Sequence, residues 1–151
     1  MRFVIATLFV SALNIAATAQ LHTISLGASV IEPKVSAEYE LSPNTAARLD
    51  MGFYIGATSN VSINPAIHFH KANNAMNIGD NGMLVPYHGP GLMLQFGSEN
   101  NSIGLDFVWG LEYDAFEIPF KIFADAGPYL IVQPETVVSL TGSIGMRYTF
   151  K

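Results

Sequence analysis

From Gln20 onward, apolar and polar side chains trade places at every second residue over short stretches, and turn-forming clusters separate the stretches. A period of two marks strands whose two faces meet different surroundings. The clusters are Glu32-Pro33-Lys34, Ser42-Pro43-Asn44-Thr45, Thr58-Ser59-Asn60, a longer one over residues 71–82, Ser98-Glu99-Asn100-Asn101, residues 114–117, and Gln133-Pro134-Glu135-Thr136. Seven connections delimit eight strands, at residues 20–31, 35–41, 46–56, 61–70, 84–97, 102–113, 118–132 and 137–150. The segments are not close copies, so the pattern is no sequence repeat. It predicts one all-β domain over residues 20–151, an antiparallel up-and-down barrel of about eight strands.

The parity of each strand sorts its residues. In the third strand Arg48, Asp50, Gly52, Tyr54 and Gly56 share one face, and Leu49, Met51, Phe53 and Ile55 the other. The second strand divides into Ser36, Glu38 and Glu40 against Val35, Ala37, Tyr39 and Leu41. The sixth sets Asp106 and Glu112 opposite Leu105, Phe107, Trp109 and Leu111, and the eighth sets Ser143, Gly145 and Arg147 opposite Ile144, Met146, Tyr148 and Phe150. Every Asp, Glu, Lys and Arg after residue 19 falls on the polar parity, in a connection, or at the C-terminus. A Lys or Arg on a lipid face at mid-bilayer costs about 2–4 kcal/mol, which accounts for such an exclusion.

Composition decides what lies outside. Charged residues make up 13% of the chain, against about a quarter in ordinary soluble domains. No stretch after residue 19 reaches the roughly 18 apolar residues of a membrane helix. Low charge without a helical span points to a closed barrel, the other structure that pairs every backbone group inside a bilayer. A secreted soluble barrel carrying an apolar ligand would alternate too, with its apolar face inward. Two features favour the membrane. The polar face is rich in Gly, Ser and Thr, which suits a crowded lumen. Tyr39, Phe69, Tyr113, Tyr148 and Phe150 lie near the ends of even-numbered strands, and so on one rim, where an interfacial girdle belongs. The net charge of −5, without a Lys/Arg cluster, excludes nucleic acid as a natural partner.

The first nineteen residues read differently. Met1-Arg2 is a basic start, residues 3–16 are mostly apolar, and Ala17-Thr18-Ala19 is a small-residue cleavage site. Residues 1–19 are therefore expected to be a signal peptide, with Gln20 the mature N-terminus. No Cys occurs anywhere, so neither a lipid anchor at the cleavage site nor a disulfide is expected.

The last strand carries a resemblance. Ser143-Ile144-Gly145-Met146-Arg147-Tyr148-Thr149-Phe150 resembles the terminal-strand signal of outer-membrane proteins, with Gly145, Tyr148 and Phe150 at its marked positions. Lys151 departs from it, since the aromatic usually comes last. Gly110-Leu111-Glu112-Tyr113 before a short turn is similar to small outer-membrane β-barrel proteins of Bacteroidetes-like bacteria. The resemblance implies export to the outer membrane of a Gram-negative cell, contact with its lipid, and insertion by the barrel-assembly machinery. It implies no single activity and no ligand. Some such barrels are lipid A deacylases with a His-x-Ser motif. Here His22, His68, His70 and His88 are followed two places on by Ile24, His70, Ala72 and Pro90. A structural or surface-interaction role is thus expected, with a lipid-modifying enzyme as the alternative.

The candidate chemistry lies on the polar face. Glu38, Glu40, Asp50, Asp106, Glu112 and Asp125 face Arg48, Lys121 and Arg147, an arrangement expected to plug a narrow lumen with ion pairs. Arg48 is expected opposite Glu38 or Glu40, and Lys121 opposite Glu112. Asp106 and Asp125 could approach on adjacent strands as a carboxylate pair, but a structural acid beside Arg or Lys is the expected role of each. His68 and His70 share one face at a spacing that suits a metal, but no third ligand is evident, so neither metal nor cofactor is assigned. With both ends of the barrel in the periplasm, the connections near Pro33, Ser59, Asn100 and Pro134 face outward, and residues 71–82 lie in the periplasm.

Overall fold

The computed structural model describes residues 23–54, 60–97 and 101–150. The proposed signal peptide, Lys151 and the third and fifth connections lie wholly or mostly outside these residues. Nine strands follow in order: β1 (Ile24–Ser29), β2 (Lys34–Ser42), β3 (Thr45–Tyr54), β4 (Asn60–His70), β5 (Met76–Asn77), β6 (Gly82–Gly97), β7 (Asn101–Ala115), β8 (Phe120–Gln133) and β9 (Val137–Phe150). Eight of them form the wall. Each pairs antiparallel with its sequence neighbour, β4 pairs with β6, and β9 returns to β1, so the sheet closes. The fold is a closed antiparallel eight-stranded β-barrel, as the alternation predicts.

The ninth strand, β5, belongs to the longest connection. A single 3-10 turn (Ala72–Asn74) leads into it, and it pairs with Met83 and Leu84 at the start of β6. Gly79, at a φ of 64°, takes the left-handed conformation that turns this small hairpin. The connections at 43–44, 71–81 and 116–119 share one end of the barrel with the start of β1 and the last residue of β9. We call this the terminus end and the opposite one the far end.

Boundaries shift where proline intervenes. β1 stops at Ser29, two residues earlier than the alternation suggests, because the chain turns through Pro33. β8 starts at Phe120 instead of residue 118. Pro119 has no N–H for the ladder, and its carbonyl accepts from the Thr149 amide. β7 runs on to Ala115, opposite Gly82. Two further interruptions share one design. Gly89-Pro90 and Gly127-Pro128 each place a glycine toward the lumen and a proline outward, and regular pairing lapses at both. A Cβ at Gly89 would fall 1.8 Å from the Ile67 carbonyl oxygen, and one at Gly127 1.8 Å from that of Phe107. Only glycine allows so close an approach of the neighbouring strand.

Burial is inverted relative to a soluble protein. Arg147, Arg48, Glu38, Glu112 and Lys121 are all buried, with Arg147 only 1% exposed. Leu105, Leu140, Ile144, Met146 and Trp109 are exposed, Leu140 to 78%. The small apolar core of Ala46, Tyr87, Val108 and Phe123 sits inside the barrel among the charges. A wall that is apolar outward over its whole circumference is matched by hydrocarbon and not by water.

Candidate functional site

Among the described residues, charged groups gather in the lumen, and its register follows from the strand pairing. Cross-strand partners share a face. Glu38 on β2 therefore stands beside Arg48 on β3, Arg48 beside Ala66 on β4, and Lys121 on β8 beside Arg147 on β9, all inward.

Toward the terminus end the charges interlock. Arg147 Nη1 donates to Glu38 Oε2 at 2.9 Å and to Glu112 Oε2 at 2.6 Å. Lys121 Nζ lies 3.1 Å from the other oxygen of Glu112, 3.5 Å from Glu40 and 3.9 Å from Asp114. Nearer mid-barrel, Arg48 donates through Nε to Asp50 at 2.7 Å and through Nη1 to Asp125 at 3.0 Å. Asp125 also accepts from the hydroxyls of Tyr87 and Ser143. Phe123 lies between the two guanidinium groups. Arg147 Cζ stands 4.1 Å from its ring centre and Arg48 Cζ 4.9 Å. Cation–π attraction strengthens where water is excluded, as it is here.

Toward the far end the lumen opens. A cavity of about 370 Å³ is lined by Lys34, Asn64, Gln95, Asp106 and Tyr129, with Arg48, Asp50 and Asp125 as its floor. The β1–β2 turn leans over it. Glu32 accepts from the Thr141 hydroxyl and pairs with Lys34 Nζ at 2.8 Å, while the Glu32 carbonyl accepts from the Ser29 hydroxyl. Asn64 Oδ1 and Asp106 Oδ1 are buried there without a protein partner. A polar cavity of this volume has room for water, on the order of ten molecules.

Several expectations need correction. Arg48 does lie opposite Glu38 in register, yet its guanidinium goes to Asp50 and Asp125, and Arg147 takes Glu38 instead. The planar fork of Arg48 reaches Asp50 on its own strand and crosses the lumen to β8, a geometry that pair counting along a hairpin cannot supply. Asp125 pairs with Arg48, as expected of a structural acid, and the alternative carboxylate pair does not form. Asp125 is committed to Arg48, Tyr87 and Ser143, while Asp106 lies in the open cavity. Lys121 does reach Glu112 although their backbones are offset, since Asp114 is its direct partner in the ladder. Tyr87 and Phe123 carry no mark in the alternation beyond their lumen parity. Each fills the space beside a glycine of the adjacent strand, Gly110 for Tyr87 and Gly145 for Phe123.

At the rim, Phe120, Tyr148 and Phe150 stack edge to face outside the terminus end, with ring centres 5.2 and 4.8 Å apart. Phe69 is exposed at the same level. Gly145 in the terminal strand packs against the Ala28 carbonyl and the Phe123 ring, where no side chain fits.

No family model and no curated protein matches the chain. Solved structures do. The N-terminal β-barrel domain of Pseudomonas aeruginosa OprF superposes with a TM-score of 0.58 at 14% identity, over 85% of this chain and 96% of that one. Neisserial surface protein A (NspA) superposes with a TM-score of 0.55 at 18% identity, over 85% of this chain and 93% of that one. At such identities the likeness concerns the fold, which is that of small eight-stranded outer-membrane barrels.

Proposed function

We propose that this protein is a non-enzymatic barrel of a Gram-negative outer membrane, with a structural or surface-interaction role and a lumen closed to ion flow. The observation that carries the reading is the inverted burial: an uninterrupted apolar exterior around a charged interior. The girdle of Phe120, Tyr148 and Phe150 supports it, as does the terminal-strand signal at Gly145, Tyr148 and Phe150. Export through cleavage after Ala19 and insertion by the assembly machinery complete the proposal. The pairing of Arg147 and Lys121 with four carboxylates closes the terminus half of the barrel. Among the described residues, the hydroxyls of Ser25, Ser29 and Ser143 bind Thr149, the Glu32 carbonyl and Asp125, while His68 faces Glu38 and Tyr87, which supports the non-enzymatic reading. The connections over residues 30–33 and 134–136 at the far end are short, which favours contact with small or flat partners over a deep receptor site.

The test is electrical. The full chain, folded and inserted singly into a planar bilayer, is expected to give no large, steady conductance. A stable open level from a monomer would overturn the closed lumen, and recovery of the native protein in the soluble periplasm would overturn the membrane location.

A further inference from the structure

One cluster is left over from the charge network. His68 and His70 are two residues apart on β4 and both face the lumen. Glu38 reaches toward them from β2, across β3. On β3 the ladder partner of His68 is Ala46, 1% exposed, whose small side chain leaves room for Glu38 to approach on the diagonal from its own partner Arg48. One potential ligand atom from each of Glu38, His68 and His70 lies within 4.8 Å of the others. Three atoms of this cluster, Glu38 Oε1, His68 Nδ1 and His70 Nε2, are buried without a hydrogen-bond partner. The Glu38 and His68 residues are each only 2% exposed. The nearest approach between them, His68 Nδ1 to Glu38 Oε2 at 3.7 Å, is too long for a hydrogen bond. Buried polar atoms left bare in this way cost free energy, and three converging on one point call for something that satisfies them together.

Charge points the same way. Among the described residues, the cations Arg48, Lys121 and Arg147 are joined by ion pairs to Glu38, Glu40, Asp50, Glu112, Asp114 and Asp125. Glu40 and Asp114 are about a third exposed, and the better buried Glu38, Asp50, Glu112 and Asp125 exceed the three cations by one. A further cation among them is therefore not opposed by the net charge of the site.

We propose that Glu38, His68 and His70 form a binding site for a borderline transition-metal dication of the Zn²⁺ class. Two imidazoles and one carboxylate suit that class and not Mg²⁺ or Ca²⁺, which require mainly oxygen ligands. Bond lengths to zinc of about 2.0–2.2 Å put ligand atoms at most roughly 4.2 Å apart, so the cluster contracts by several tenths of an ångström or more on loading. The surroundings are arranged for it. Arg147 grips the other oxygen of Glu38 and fixes its direction, with its own charge already shared with Glu112. The Tyr87 ring stacks on His68 at 5.0 Å and meets His70 edge-on at 5.7 Å, holding both imidazoles. His70 is the last residue of β4 and half-buried, which puts the site at the terminus end of the lumen. The site rests on the residues themselves and does not depend on the cellular role of the barrel.

The test uses the full chain without a polyhistidine tag, folded in detergent and stripped with a chelator. Titration with Zn²⁺ by calorimetry, and with Co²⁺ by visible absorption, is expected to show one saturable equivalent, with no binding of Mg²⁺. His70→Gln and Glu38→Gln should each weaken Zn²⁺ binding at least about tenfold, while His88→Gln, on the outer face, leaves it unchanged. Absence of saturable binding, or affinity that survives both glutamine substitutions, overturns the site. Should the variants fail to fold, X-ray absorption of the zinc-loaded wild-type protein decides. A shell with two imidazoles supports the proposal, and one with fewer refutes it.

Discussion

At the terminus end of the lumen, Arg147 and Lys121 are each shared between carboxylates, and Phe123 fills the space between two guanidinium groups. At the far end, Lys34 has one carboxylate partner, Asp106 and Asn64 carry unmatched oxygens, and a cavity of about 370 Å³ takes the place of packing. The same eight strands build both halves, so neither strand number nor diameter explains the contrast. Side-chain size and charge do. Glu38, Glu112, Lys121, Phe123 and Arg147 crowd one level, whereas Ser62, Gly52 and Gln95 leave room at the other. Long charged side chains removed from bulk water must find partners, and finding them closes the space. Short polar ones can be left to water.

The largest effect should come from breaking the ion-paired half. Arg147→Ala strips the nearest cation from Glu38 and one of two from Glu112, leaving buried charge uncompensated. The expected loss is about 3–5 kcal/mol of unfolding free energy, read by urea denaturation of the folded barrel in lipid. A loss below about 1 kcal/mol would mean that water reaches this level freely, and the contrast between the halves would collapse.

Next comes a comparison across the wall. Leu105 faces outward and Ser102 faces the far half of the lumen on the same strand. Leu105→Arg is expected to cost about 2–4 kcal/mol, as a charge facing hydrocarbon does. Ser102→Arg should be tolerated, because its side chain enters the spacious half near Gln95. Heat-modifiable migration of the two variants provides the measurement, and equal folding would show that the inward and outward assignment of this strand is wrong.

Phe123→Leu keeps an apolar side chain of similar bulk and removes the ring faces. A loss of about 1–3 kcal/mol is expected, from two desolvated cation–π contacts with Arg48 and Arg147. No change in the denaturation midpoint would reduce Phe123 to a spacer.

These contrasts were legible in the sequence to different depths. Parity alone assigns Glu38, Arg48, Asp50, Glu112, Lys121 and Arg147 to the lumen, because side-chain direction in a strand depends only on counting. It places the wall strands within a few residues, failing at Pro33 and Pro119, where a missing N–H or a fixed φ shortens a strand. Partner choice was not legible. Arg48 bypasses its register neighbour Glu38 for Asp125 on the opposite wall, and the third potential ligand beside His68 and His70 comes from two strands away. Such contacts depend on how a closed sheet curves, and no hairpin rule contains that curvature. The halves themselves were equally hidden, since a cavity is a difference between side-chain volumes summed around a ring of strands.

The smallest effect belongs to the open half. Lys34 pairs with Glu32 at 2.8 Å, but the Glu32 side chain is 42% exposed and also accepts from the Thr141 hydroxyl. Replacing Lys34 with Met leaves a carboxylate that water and Thr141 still satisfy, and its aliphatic body still packs at the mouth of the cavity. Screened pairs of this kind contribute about 0.2–1 kcal/mol, so Lys34→Met should shift the urea midpoint only slightly. Raising the salt concentration should shrink even that difference. A loss comparable to that of Arg147→Ala, insensitive to salt, would show that Lys34 is sealed from water, and that the turn over residues 30–33 packs over the far end as tightly as the ion pairs pack at the other.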